Sequence, residues 1–88
     1  MASTFDKYVH DLTAHGVVAD GRYVVAEWSD LHCQWQSSNR RPPAGMETTY
    51  VKSHARTLRT LVFDCGIRTY ATRKAALAAA RRCYPNEE

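Results

Sequence analysis

Four histidines (His10, His15, His32 and His54) and three cysteines (Cys33, Cys65 and Cys83) carry the chemistry to hold a metal or to attack a carbonyl. Structural zinc sites draw on closely spaced ligand pairs such as CxxC or HxxxH. The one close cysteine–histidine pair, His32-Cys33, would point to opposite faces of a strand. A thiol nucleophile needs a histidine base beside it, a pairing that only the fold can make. Cys33 and Cys83 read as small buried hydrophobes and Cys65 as a turn residue. No GxGxxG or P-loop is present, and four dispersed glycines leave little scope for a phosphate-cradling loop. The expectation is a protein with no catalytic residues, no metal and no cofactor. An enzyme with a cryptic Cys/His site is the enzymatic alternative.

Charge is the stronger signal. Residues 1–38 carry Lys7 and Arg22 against Asp6, Asp11, Asp20, Glu27 and Asp30, a net of −3, whereas residues 39–88 carry ten Lys/Arg against four acids, a net of +6. Most of these cations are arginine, whose planar fork suits carboxylate or phosphate. The reading places a partner-binding surface on Arg40, Arg41, Lys52, Arg56, Arg59, Arg68, Arg73 and Lys74, with Tyr50 and Tyr70 as aromatic anchors. Arg73 and Lys74 stand out because cations oppose the dipole at a helix start. A protein partner would meet these arginines with carboxylates. A nucleic acid would meet them with phosphates, and its binding would weaken steeply with salt.

These residues must be positioned by a small fold. Eighty-eight residues, 44% of them hydrophobic, make one domain over 1–88 and argue against disorder throughout. No apolar run approaches a membrane span, and the first residues lack a signal peptide's basic region and apolar core. Three irregular cysteines do not make a disulfide framework, so a reducing cytosol is the expected, cytoplasmic setting.

The order of elements is read from periodicity. Ser3 can cap a helix whose stripe is Phe5, Tyr8, Val9 and Leu12, with Gly16 as its stop. Asp20-Gly21 signals a turn. Residues 22–28 and 31–36 fit two strands joined near Ser29-Asp30, although Val24, Trp28, Leu31 and Trp35 also fit helical spacing. The stretch Ser37–Gly45 is a proline-containing loop. A strand from about Thr48 follows, on which Lys52, His54 and Arg56 would share one face, although Val51, Ala55, Leu58 and Val62 also fit a helical stripe. Another strand runs from about Arg56 into Phe63. Gly66 supplies the positive φ of a hairpin turn, Ile67–Ala71 returns as a strand, and Thr72 caps an alanine-rich helix that ends before Pro85. The predicted fold is α+β: a small antiparallel sheet of three to five strands with an N-terminal and a C-terminal helix packed on it. The predicted core is Phe5, Val9, Leu12, Val25, Trp28, Leu31, Trp35, Leu61, Phe63, Ile67 and Leu77.

The pattern FDCGIRTYATRKAALAAARR resembles the closing hairpin and helix of small three-stranded-sheet domains, among them phage-associated proteins and the DNA-binding arm domains of integrases. In size, single compact domain and lack of catalytic signatures, the chain also resembles the small inhibitors that phages and mobile elements encode against host machinery, anti-CRISPR proteins among them. That resemblance implies a non-enzymatic inhibitor that occludes a surface of a nucleic-acid-handling host complex. A small basic nucleic-acid-binding domain is the alternative.

Overall fold

The computed structural model describes residues 4–40 and 52–84. The fold is α+β, but its strands form two three-stranded antiparallel sheets rather than one. In the first, β1 (Val9–Asp11) pairs with β2 (Tyr23–Val25), which pairs in turn with β6 (Thr69–Tyr70). In the second, β3 (Glu27–Ser29) pairs with β4 (Gln34–Ser37), and β4 with β5 (Ser53–Ala55). Chain passes from one sheet to the other at Ala26. Its N–H still donates to Tyr8 O at 2.8 Å, and its carbonyl accepts from His10 Nε2 at 2.9 Å. Helix α1 (Leu58–Phe63) lies against the second sheet and α2 (Arg73–Cys83) against the first.

Strand β2 serves two cores because adjacent residues of a strand face opposite ways. Val25 joins Phe5, Tyr8, Val9, Ala76, Ala79 and Ala80 under α2. Val24 joins Leu12, Val17, Leu58, Leu61, Val62 and Ile67 under α1. The alanines let α2 approach the sheet closely, while Leu77 is only half-buried. Gly21 permits a second close approach, since a Cβ there would stand 2.6 Å from the Tyr70 backbone nitrogen. Arg22 N–H donates to Tyr70 O at 2.9 Å beside it.

Three expected elements are corrected. The N-terminal helix is a 3-10 helix of five residues, Thr4–Tyr8, and the chain then becomes β1. All four stripe residues are buried, but the register Val9↔Val25 draws the β-branched Val9 into a sheet. The proposed Ser3 cap lies outside the described residues. Gly16, at φ 72, instead closes a single turn. Asp11 Oδ1 starts that turn by accepting from Thr13 N, and Val17 N–H to Leu12 O ends it at 2.8 Å.

The hairpin through Gly66 does not form. Its first arm is α1, capped by Thr57, whose side chain accepts from Thr60 N. Gly66 does adopt a positive φ, of 69, but as the residue that leaves this helix. Ile67 makes an isolated bridge to Arg40, so the returning strand shrinks to β6. The strand expected from Arg56 into Phe63 is likewise this helix, while the one expected from Thr48 survives as β5. Residues 41–51, with the start proposed for that strand, lie outside the described residues.

The third correction concerns Leu31 and Cys33. The β3–β4 turn covers 30–33, because the cross-strand pair Trp28↔Trp35 centres it there. Leu31 therefore stands 86% exposed, and Cys33 is an exposed thiol at φ 50. Of the predicted core, Trp28 at 45% and Phe63 at 52% are also exposed, and Trp35 is half-buried. Phe63 faces outward because a helix carries Leu61 and Val62, not Leu61 and Phe63, toward the core. Trp28 ends the row Trp28–Trp35–Ala55 at the sheet's margin. Thr72 caps α2 as expected, with its side chain accepting from Ala75 N.

A candidate aromatic and basic groove

A groove of about 260 Å³ opens between the Gly16 turn, β4 and the start of α1. His15 and Val17 form one wall, Trp35 another, and Arg56, Leu58 and Arg59 the third. Each wall has a local cause. The left-handed Gly16 reverses the chain so that His15 and Val17 flank it. Ala55, directly opposite Trp35 across the strands, leaves space for the indole. Thr57 caps α1 two residues after β5 ends, which puts Arg56 just before the cap and Arg59 on the first turn.

The aromatic rings interlock edge to face. Trp35 meets His10 at 4.8 Å, Trp28 at 5.5 Å and His15 at 6.0 Å between centroids. Such T-shaped contacts place the positive ring edge against a negative ring face. His10 donates through Nε2 to the Ala26 carbonyl, which requires the proton on that nitrogen. Burial pushes His10 below the ordinary histidine value. The hydrogen bond to Ala26 opposes that shift, and the neighbouring His15 adds to it. The indole N–H of Trp28 donates to Asp30 Oδ1 at 3.0 Å, which sets a carboxylate at the margin of the cluster.

Arg56 and Arg59 are exposed, and among the described residues neither has a carboxylate within ion-pair distance. The Arg59 guanidinium lies 5.6 Å from the centre of the Phe63 ring. The remaining predicted residues occupy other elements. Lys52 precedes β5; it, His54 and Arg56 are exposed while Ser53 and Ala55 between them are buried, so the shared face exists. Arg40 and Arg68 are exposed where the chain after β4 meets the chain before β6, with Arg68 N–H donating to Asn39 O at 3.0 Å. Tyr70 is half-buried and accepts from Asn39 Nδ2 at 2.6 Å. Lys74 is exposed on the first turn of α2.

Arg73 has a partner, Asp6, at 2.7 Å. That carboxylate offsets the unfavourable position of a cation at a helix start, so Arg73 ties α2 to the 3-10 helix. Arg41 and Tyr50 lie outside the described residues. Trp28, Trp35 and His15 belong to the groove's surroundings although the sequence points to none of them as a binding residue. Their spacing predicts the two tryptophans as core; the signal for their true position is their symmetric placement about residues 31 and 32, which pairs them across the β3–β4 turn.

The cysteines stand apart from one another, Cys33 on the β3–β4 turn, Cys65 after α1 and Cys83 at the end of α2. Among the described residues, no three His, Cys, Asp or Glu side chains are grouped to hold a metal. Cys33 Sγ reaches Asp30 O and Cys65 Sγ reaches His54 O, each at 3.5 Å. Cys83 is half-buried, and burial pushes its thiol up, away from the reactive thiolate. No family model, curated protein or solved structure matches the chain.

Proposed function

We propose that this chain is a non-enzymatic binding protein, a small anti-CRISPR-like inhibitor that occludes a surface of a nucleic-acid-handling host complex. One observation carries the reading: two arginines that, among the described residues, have no carboxylate partner border a groove beside partly exposed tryptophans. Arginine and tryptophan are the residues that most often dominate interface affinity. An exposed guanidinium with no carboxylate beside it among the described residues gains most from a carboxylate on another molecule.

A protein partner is favoured over a nucleic acid by the position of Asp30. Its carboxylate, held by Trp28, would repel a phosphate chain running along the aromatic row, whereas a single acidic side chain at Arg56 and Arg59 need not approach it. The basic nucleic-acid-binding alternative draws on the surplus of cations in residues 39–88, including the exposed Arg40, Lys52, Arg68 and Lys74.

Capture from a bacterial lysate tests the choice, with the wild type and the R56E/R59E double variant immobilised side by side. The expected result is a polypeptide retained by the wild type after nuclease treatment and lost by the double variant. Retention abolished by nuclease would transfer the reading to nucleic acid. Retention unchanged by the double variant would remove the groove from it.

A further inference from the structure

The β3–β4 turn and the groove are complementary to each other. The turn presents Asp30 beside Leu31, the most exposed large hydrophobic among the described residues at 86%. The groove presents Arg56 and Arg59 beside apolar walls from Val17, Trp35 and Leu58. A carboxylate next to an apolar side chain is what such a groove accepts, and this chain supplies both at equal concentration. Within one molecule Asp30 is held by Trp28 rather than by either arginine.

We propose that two copies of this chain associate by exchanging these turns, Asp30 and Leu31 of each entering the groove of the other. A reciprocal exchange is isologous and closes at two copies, whereas a one-way insertion would propagate. Leu31 leaves water, Asp30 meets the two guanidiniums, and Trp28, 45% exposed at the base of the turn, is covered with them. Rim charges are screened by salt, so the association weakens as ionic strength rises. The proposal does not rest on the reading of a host partner. A monomeric wild type that still captures a polypeptide through Arg56 and Arg59 would refute this association and leave that reading intact.

Charge reversal provides the test, read by sedimentation equilibrium over a range of protein concentration and salt. The wild type is expected to approach the dimer mass at high protein and low salt. D30R sets arginine against arginine, and R56D/R59D sets aspartate against aspartate, so each alone is expected at the monomer mass. Mixed in equal amounts, the two restore both contacts and are expected to return to the dimer mass. That recovery also shows that both variants fold. L31S, a change at an exposed turn, is expected to weaken the wild-type dimer at constant charge. A wild type that stays monomeric, variants that remain dimeric, or a mixture that does not associate would each overturn the proposal.

Discussion

Leu61, Val62 and Phe63 lie at the point where helix and strand make opposite predictions. A strand would turn Leu61 and Phe63 to one face and Val62 to the other. Helix α1 buries Leu61 and Val62 and leaves Phe63 about half in water. Leu61→Ala removes a fully buried side chain from among Leu12, Val24, Leu58 and Ile67, and such truncations cost about 2–5 kcal/mol. Val62→Ala removes two methyl groups from the edge of the same cluster, roughly 1–2 kcal/mol at ~0.8 kcal/mol per buried carbon. Phe63→Ala loses half of a ring's burial and an exposed contact with Arg59, together about 1 kcal/mol or less. A chain of this length has roughly 4–13 kcal/mol of stability in all, at ~0.05–0.15 kcal/mol per residue. The first change therefore removes a large share of it and the third a small one. Urea unfolding followed by tryptophan fluorescence measures all three, provided that the slope with denaturant stays constant. The expected order of loss is Leu61, then Val62, then Phe63. If Phe63→Ala cost as much as Leu61→Ala while Val62→Ala were silent, the segment would be a strand and the placement of Arg59 would fall with it.

Gly21→Ala should destabilise the protein by about 1–3 kcal/mol in the same assay, because the new methyl would overlap the Tyr70 backbone; a neutral substitution would show that β6 does not approach there. Thr57→Ala should cost about 0.5–2 kcal/mol and Thr57→Ser much less, since only the cap's oxygen is used. His10 is held below its ordinary value of 6.5, so the unfolded chain takes up that proton first as pH falls. Stability linked to His10 is thus complete above about pH 6.5 and declines below it. Urea midpoints at pH 7 and pH 5 should differ more for the wild type than for His10→Gln, and equal differences would refute the assignment. Burial also pushes the Tyr84 phenol, stacked 3.9 Å from Tyr8, well above the ordinary tyrosine range. An ultraviolet alkaline titration should lose a late-ionising phenol in Tyr84→Phe.

Burial was more legible in the sequence than backbone conformation. Phe5, Val9, Leu12, Val25, Leu61 and Ile67 are core as their spacing predicts. Yet the same stripe of Phe5, Tyr8, Val9 and Leu12 is met by a short 3-10 helix followed by a strand, because pairing with β2 decides what a few residues of helical periodicity cannot. The segment from Leu58 to Phe63 mixes strand formers with a helical stripe, and its type turns on the cap at Thr57, a threonine three residues before Thr60 that could have been recognised. Thr72 and the alanines of α2 were legible because cap, period and small residues agree there. The candidate groove was only half visible. Charge pointed to Arg56 and Arg59 with other cations, but their union with Trp35 and His15 depends on contacts between elements distant in sequence. Arg73 shows the converse: a cation that looked free at a helix start is held by Asp6, sixty-seven residues away.

The groove's role is tested most directly by hydrogen–deuterium exchange on the protein bound to the polypeptide it captures, with the free protein, at a concentration and salt that keep it monomeric, as reference. Recognition through Arg56, Arg59 and Trp35 predicts slowed exchange at residues 15–17, 34–36 and 56–60, with the amides of α2 unchanged. Protection confined to α2 and the 3-10 helix, with the three groove segments exchanging as in the free protein, would contradict it.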